Sequence, residues 1–180
     1  MSGFLFAFLA VLLAGTGARD QVMLAALTRA QGPRFTLLMT AVAGALAATA
    51  FAGWASQRVG AEMIGPARDA LASIALIVAG GEMALLARPR TPAEPTRSLF
   101  AAFLVLAAWQ VSDAARLMVF AVGVAAAAPV PASLGGAVAS CATLAAGWLA
   151  PDVVSDRRLG QVRRFLGVGL VLFGIGRLIV

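Results

Sequence analysis

The sequence predicts an all-α integral membrane protein whose six transmembrane helices form two inverted three-helix repeats. Three observations carry that prediction. The chain is 61% hydrophobic and only 12% charged, where soluble domains carry roughly 25% charge. Its mean hydropathy is +0.93. The apolar residues gather in six runs, each near the roughly 20 residues a helix needs to cross hydrocarbon, and the first three runs resemble the last three. The lipid bilayer is therefore the expected principal partner, and short loops between six helices leave no soluble domain.

Helix one is read over Phe4 to Leu27. It lacks a basic N-terminal region, and its apolar run stops at Arg19-Asp20 and resumes at Val22 without a cleavage signal, so it is expected to stay in place and to break near those charges. Helix two, Phe35 to Ser56, carries Gly44, Ala45, Ala47 and Ala48, small residues that let helix backbones approach where lipid supplies little hydrophobic drive. Helix three, Ala70 to Ala87, contains Glu82. The segment Arg88 to Arg97, RPRTPAEPTR, reads as an exposed, semi-rigid linker because of its three prolines and alternating charges. It divides repeat 1–87 from repeat 98–180. Helix four runs from Leu99 to Ala128, helix five from Ala132 to Ala150 with Gly135, Gly136, Ala139 and Ser140, and helix six from Phe165 to Val180. Trp54 and Trp148, near helix ends, are expected interfacial anchors. Cys141, alone among alanines, is expected to pack.

The repeat is visible residue by residue. A shift of 95 positions pairs Phe8 with Phe103, Leu9 with Leu104, Met23 with Met118, Ala26 with Ala121, Leu71 with Leu166 and Gly81 with Gly176. A shift of 94 pairs Thr49, Ala52, Gly53 and Trp54 with Thr143, Ala146, Gly147 and Trp148. Because each half holds an odd number of helices, the second must enter the membrane from the opposite side, which makes the repeats inverted. Such folds place substrate sites near the midplane, between the repeats.

All 14 basic residues are arginine, and the net charge is +6. They sit in loops rather than in a nucleic-acid-binding stripe, so no nucleic acid is expected as partner. Arg29, Arg34, Arg88, Arg90, Arg97, Arg157, Arg158, Arg163 and Arg164 fall in the loops after helices one, three and five, while the opposite loops hold Arg58 and Arg68. The positive-inside rule then puts both termini outside and the central loop in the cytoplasm, in a bacterial inner membrane. Anionic lipid is a further expected contact of these loops.

Charged and amide side chains interrupt two of the apolar runs: Arg19, Asp20 and Gln21 in helix one, and Gln110, Asp113 and Arg116 in helix four. An ionisable group at bilayer depth costs roughly 2.5 to 3.5 kcal/mol on insertion scales, so it is normally sheltered and marks a functional site. Asp113 and Arg116 stand at i and i+3, where a helix would let them pair, and Arg19 adjoins Asp20. Two readings of these four charges stand: an internal ion-pair network without transport, or a transport site. Glu82 and Arg177, at equivalent positions of the two halves, are read first as snorkelling to their interfaces, with Glu82 lining a cavity as the alternative.

The stretch LLAGTGARDQVMLAAL, Leu12 to Leu27, resembles the first signature of the small cation/proton exchanger family of Golgi, chloroplast and bacterial manganese and calcium transporters. That signature, Glu-x-Gly-Asp-(Lys/Arg)-(Thr/Ser)-Gln, occurs once per half. Gly17, Arg19 and Gln21 match it, while Gly15 replaces the Glu, Ala18 the Asp, and Asp20 the hydroxyl residue. In QVSDAAR, Gln110 to Arg116, only Asp113 keeps an acidic position; Gln110 stands for Glu, Ser112 for Gly, Ala114 and Ala115 for the basic and hydroxyl residues, and Arg116 for Gln. The resemblance implies a six-helix carrier of Mn2+ or Ca2+ against protons, with no bound cofactor, and with Asp20, Gln21, Gln110 and Asp113 at the substrate site. Arg19, Arg116 and Glu82 stand beside them, and Asp20 and Asp113 are the implied metal ligands.

Hard divalent cations need several oxygen ligands, and an arginine beside each acid neutralises the attraction. Exchange is therefore expected to be weakened, altered or lost, and a small anion or amino acid is the competing substrate. From a different class comes a non-transporting scaffold, an accessory subunit of a larger membrane complex; a homodimer is the other expected assembly. An enzyme is not expected, since the chain lacks His, Tyr and Lys and shows no nucleophile beside a base.

Overall fold

The computed structural model describes residues 2–86 and 98–179. The expected linker, with Arg88, Arg90 and Arg97, lies outside the described residues. Everything described is helix or short connection: α1 Ser2–Gly15, α2 Arg19–Gln31, α3 Phe35–Ala61, α4 Gly65–Leu85, α5 Leu99–Val111, α6 Ala114–Ala125, α7 Pro129–Leu149, α8 Pro151–Val154 and α9 Arg157–Ile179.

Each half begins with a helix that breaks. α1 and α2 meet at 54° and α5 and α6 at 47°, so helix one breaks just before Arg19-Asp20, near where its charges led us to expect, and the continuous helix expected over Leu99–Ala128 is corrected to a bent pair. α3 and α7 are each long and apolar enough to cross a membrane, and each bent pair qualifies if taken as one span. α4 and α9 have the length, at 21 and 23 residues. They are less apolar: α4 carries Arg68, Asp69 and Glu82, and α9 carries Arg157, Arg158, Arg163, Arg164 and Arg177. α9 also starts more than one turn before the expected Phe165, which draws three arginines of a predicted loop, besides its own first residue, into a helix.

The packing is small residues inside, large ones outside. Alanines dominate the buried set, while Leu5, Phe6, Phe51, Phe100, Leu134, Phe165 and Leu172 are exposed. In water such a surface would drive association; against lipid tails it is the expected exterior. α4 and α9 run antiparallel and touch backbone to backbone, since a Cβ at Gly167 would lie 2.7 Å from the Gly80 carbonyl oxygen. α1 packs on α7 and α5 on α3, α3 on α7, and α4 on α6 as well as α9. Gly135 and Gly136 of α7 receive the α1 backbone and Val119, and Gly44 of α3 receives Gln110. Ala47 points outward instead. One core cluster joins α1, α3, α4, α6 and α7 around Val11, Met83 and Val119. A second joins α2, α3, α5 and α7 around Leu24, Leu37 and Leu106. Trp54 is exposed, as an anchor would be, whereas Trp148 is half-buried against the second cluster.

Candidate functional site

Two helix breaks face each other and set the site. At the first, Gly17 takes φ 73°, a left-handed conformation open to glycine without a Cβ penalty. A broken helix strands backbone groups that hydrocarbon cannot satisfy; Gln21 satisfies one, its Oε1 accepting from the Gly17 N–H at 2.6 Å, while its Nε2 ties the break to α7 by donating to the Thr143 carbonyl at 2.6 Å. At the second break Ser112 and Asp113 leave the helical conformation, Asp113 standing extended at φ −82°, ψ 147° as the N-cap of α6. Just before this break Gln110 ties α5 to α3, its Nε2 donating to the Ala41 carbonyl at 3.0 Å, while its Oε1 has no hydrogen-bond partner. Arg19 joins the breaks, its Nη2 lying 3.5 Å from both the carbonyl and the hydroxyl oxygen of Ser112.

Between the breaks lies an ion network. Glu82 of α4 receives two guanidinium groups, Arg19 Nε at 3.0 Å on one oxygen and Arg163 Nη2 at 2.6 Å on the other. The same Arg163 nitrogen lies 3.3 Å from Asp113 Oδ1, and Arg163 Nη1 donates to the Ala14 carbonyl. That carbonyl belongs to the last turn of α1, where unpaired acceptors and the negative end of the helix dipole favour a cation. Arg19 also lies over the Trp109 ring, 4.7 Å from its centroid, a cation–π contact. Side-chain exposure is 1% for Asp113, 6% for Glu82, 7% for Arg163 and 12% for Arg19. Three arginines (Arg19, Arg116, Arg163) and three acids (Asp20, Glu82, Asp113) balance to zero.

Arg19, Glu82 and Asp113 meet in this network and Gln21 and Gln110 stand at the two breaks, but the pairings differ from those expected. Arg116 does not pair with Asp113. Its Nη1 donates to Ser140 Oγ at 3.2 Å and its Nε and Nη2 have no hydrogen-bond partner, because Asp113 is a non-helical cap to which the i, i+3 geometry of a helix face does not apply. Arg19 does not pair with Asp20, which turns its Oδ1 back to the Gln21 N–H at 2.7 Å and is itself buried. Glu82 does not snorkel; it is the hub. Arg177 is exposed and reaches Asp69 at 3.0 Å.

Two contributors were missed. Arg163 was read as a loop residue, although Arg163, Gly167 and Gly174 share one face of α9, and that glycine spacing is the signal that marks the arginine as inward-facing. Trp109 carries no such signal beyond its place beside Gln110.

Glu82, Arg19, Gly17 and Arg163 line a cavity of about 300 Å³ whose other walls include Met83, Leu86, Arg157, Gly160, Gln161 and Arg164. Asp20 and Asp113 stand outside that lining. Among the described residues, no three of His, Cys, Asp and Glu gather to hold a metal ion. The implied ligands Asp20 and Asp113 are thus not joined by a third, and Arg163 already contacts both Asp113 and Glu82. No protein-family model matches the chain, and neither a curated protein nor a solved structure was found to match it.

Proposed function

We propose that the chain is a membrane carrier on the plan of the cation/proton exchangers, with six spans in two inverted repeats and a central site rebuilt around arginine–carboxylate pairs. The observation that carries this reading is the meeting of two broken helices at a buried charge network that a cavity reaches from the surface. Broken helices that meet at depth are costly for a scaffold and useful to a carrier, which binds substrate at such breaks. The repeat reading is supported by the equivalent breaks at Gly17 and Ser112 and by the packing of α1 on α7 with α5 on α3, of α3 on α7 and of α4 on α9, which a two-fold axis would generate.

In this reading a bilayer with both termini outside puts Arg157, Arg158 and Arg164 on the cytoplasmic side, which is where the cavity opens. Mn2+ or Ca2+ could reach Glu82 and Asp113 only by displacing Arg163 and Arg19, so divalent-cation exchange is altered from the family pattern. The buried, paired state of Asp113 is the specific observation that favours the second reading, an accessory subunit whose charges only hold its helices together.

Reconstitution separates them. Proteoliposomes of folded protein are followed for labelled Mn2+, Ca2+, phosphate and amino acids, with and without a pH gradient. Protein-dependent flux of any of these supports the carrier. No flux, together with a stoichiometric unrelated partner on gentle-detergent purification, replaces it with the subunit.

A further inference from the structure

We propose that the cavity between α4 and the start of α9 binds a phosphate-class oxyanion through Arg157 and Arg164, with the charge of Arg19 in the wall behind them. As substrate class, this deepens the carrier reading and rests on it; as a binding site, it stands on the cavity alone. The cavity wall holds Arg19, Arg157, Arg163 and Arg164 against the single carboxylate of Glu82. Glu82 is already spent on two guanidinium groups. Arg19 Nε, though 3.0 Å from Glu82, is not aligned to hydrogen-bond it and has no hydrogen-bond partner.

The mouth adds more unspent charge. Arg157 and Arg164 are one heptad apart, on the face of α9 that also brings Gly160 and Gln161 to the cavity. Both are exposed, and among the described residues neither forms an ion pair. Glycine at position 160 leaves the wall between them without a side chain. Planar guanidinium forks match the paired oxygens of phosphate, and charge-assisted bonds of this kind are about twice as strong as neutral ones. A divalent cation would meet a wall of the wrong sign. The volume, about 300 Å³, accommodates a small oxyanion or the headgroup phosphate of an anionic lipid, and the chemistry of recognition is the same for both.

The test uses the full chain in nanodiscs, read by thermal melting and calorimetric titration. In zwitterionic lipid, inorganic phosphate is titrated against wild type and against the Arg157→Gln, Arg164→Gln double variant; a parallel series uses phosphatidylglycerol nanodiscs without added phosphate. Phosphate is expected to raise the melting temperature, with binding weakened at least about tenfold in the double variant, as expected when charged hydrogen bonds are lost. Melting without phosphate should be unchanged, since both side chains are exposed. If only phosphatidylglycerol stabilises, and the double variant abolishes it, the same site holds a lipid headgroup. No stabilisation in either series, or equal stabilisation of the double variant, overturns the proposal. Arg58→Gln, remote from the cavity lining, is the folded control and should bind as wild type. Phosphate binding without any flux contradicts the carrier reading alone, and Mn2+ flux without phosphate binding contradicts this proposal alone.

Discussion

The antiparallel pair α4 and α9 carries two ion pairs that invite comparison: Glu82 with Arg163 at one end, and Asp69 with Arg177 at the other. The distances are alike, 2.6 and 3.0 Å. Their surroundings are not. Asp69 and Arg177 are 53% and 40% exposed, whereas Glu82 and Arg163 are 6% and 7% exposed. At the 95-residue shift Glu82 stands where the second half has Arg177, but Arg163 stands where the first half has Arg68, so the inner pair is not the outer one repeated. Only the pair beside the helix breaks has been drawn into the core and multiplied, by Arg19, Asp113 and the Ala14 carbonyl, into a network. Burial by itself adds little net stability to an ion pair; what it adds is dependence of each member on the others. The outer pair has no such dependence.

The largest expected effect follows from removing the hub. Glu82→Ala leaves Arg19 and Arg163 without their shared carboxylate and should cost about 3 to 5 kcal/mol, the usual penalty for breaking a buried pair. Folded yield and melting in detergent measure it. Next comes the helix crossing that holds the two pairs in register: Gly167→Val drives a side chain into the Gly80 carbonyl and the Ala84 N–H, 2.7 and 2.8 Å from its Cβ position. Overpacking of this kind costs about 1 to 3 kcal/mol or more. If Gly167→Val melts like wild type, the close crossing is wrong and the two ends of α4 and α9 are not held by one contact.

Gln21→Leu should cost about 1 to 3 kcal/mol, because the Gly17 N–H, freed by the break, then lacks its buried partner. A hydrogen-exchange measurement would locate the loosening at the α1–α2 break. The smallest effect belongs to the outer pair: Asp69→Ala should change stability by about 0 to 1 kcal/mol. A loss as large as that of Glu82→Ala would erase the distinction between the two ends.

The sequence made the all-helical class, the apolar helices and the buried polar residues Asp20, Gln21, Glu82, Gln110, Asp113 and Arg116 legible, because charge inside an apolar run is visible without coordinates. Gln21 and Gln110 stand out for that reason; Gln21 caps the Gly17 N–H at the first break and Gln110 ties α5 to α3 beside the second. Pairings were less legible. The i, i+3 rule joined Asp113 to Arg116 on the assumption of a continuous helix, and the break at Ser112 removed the assumption. Arg163 is hidden by its company: among Arg157, Arg158 and Arg164 it looks like loop charge, and only its spacing from Gly167 and Gly174 marks it as facing the α4 crossing. The order of the chain separates Glu82 from Arg163 by most of the second half, so no local pattern joins them.

A double-mutant cycle tests the central claim, that Asp113 belongs to a network organised by Arg163 and Glu82 rather than to a local pair with Arg116. Melting is measured for Asp113→Ala, Arg163→Ala, Arg116→Ala and the two doubles that contain Asp113→Ala. The account predicts a coupling of about 1 to 3 kcal/mol between Asp113 and Arg163, within the range for residues in one ion network, and a smaller one between Asp113 and Arg116. Coupling concentrated in the Asp113 and Arg116 cycle, with additivity between Asp113 and Arg163, would contradict it.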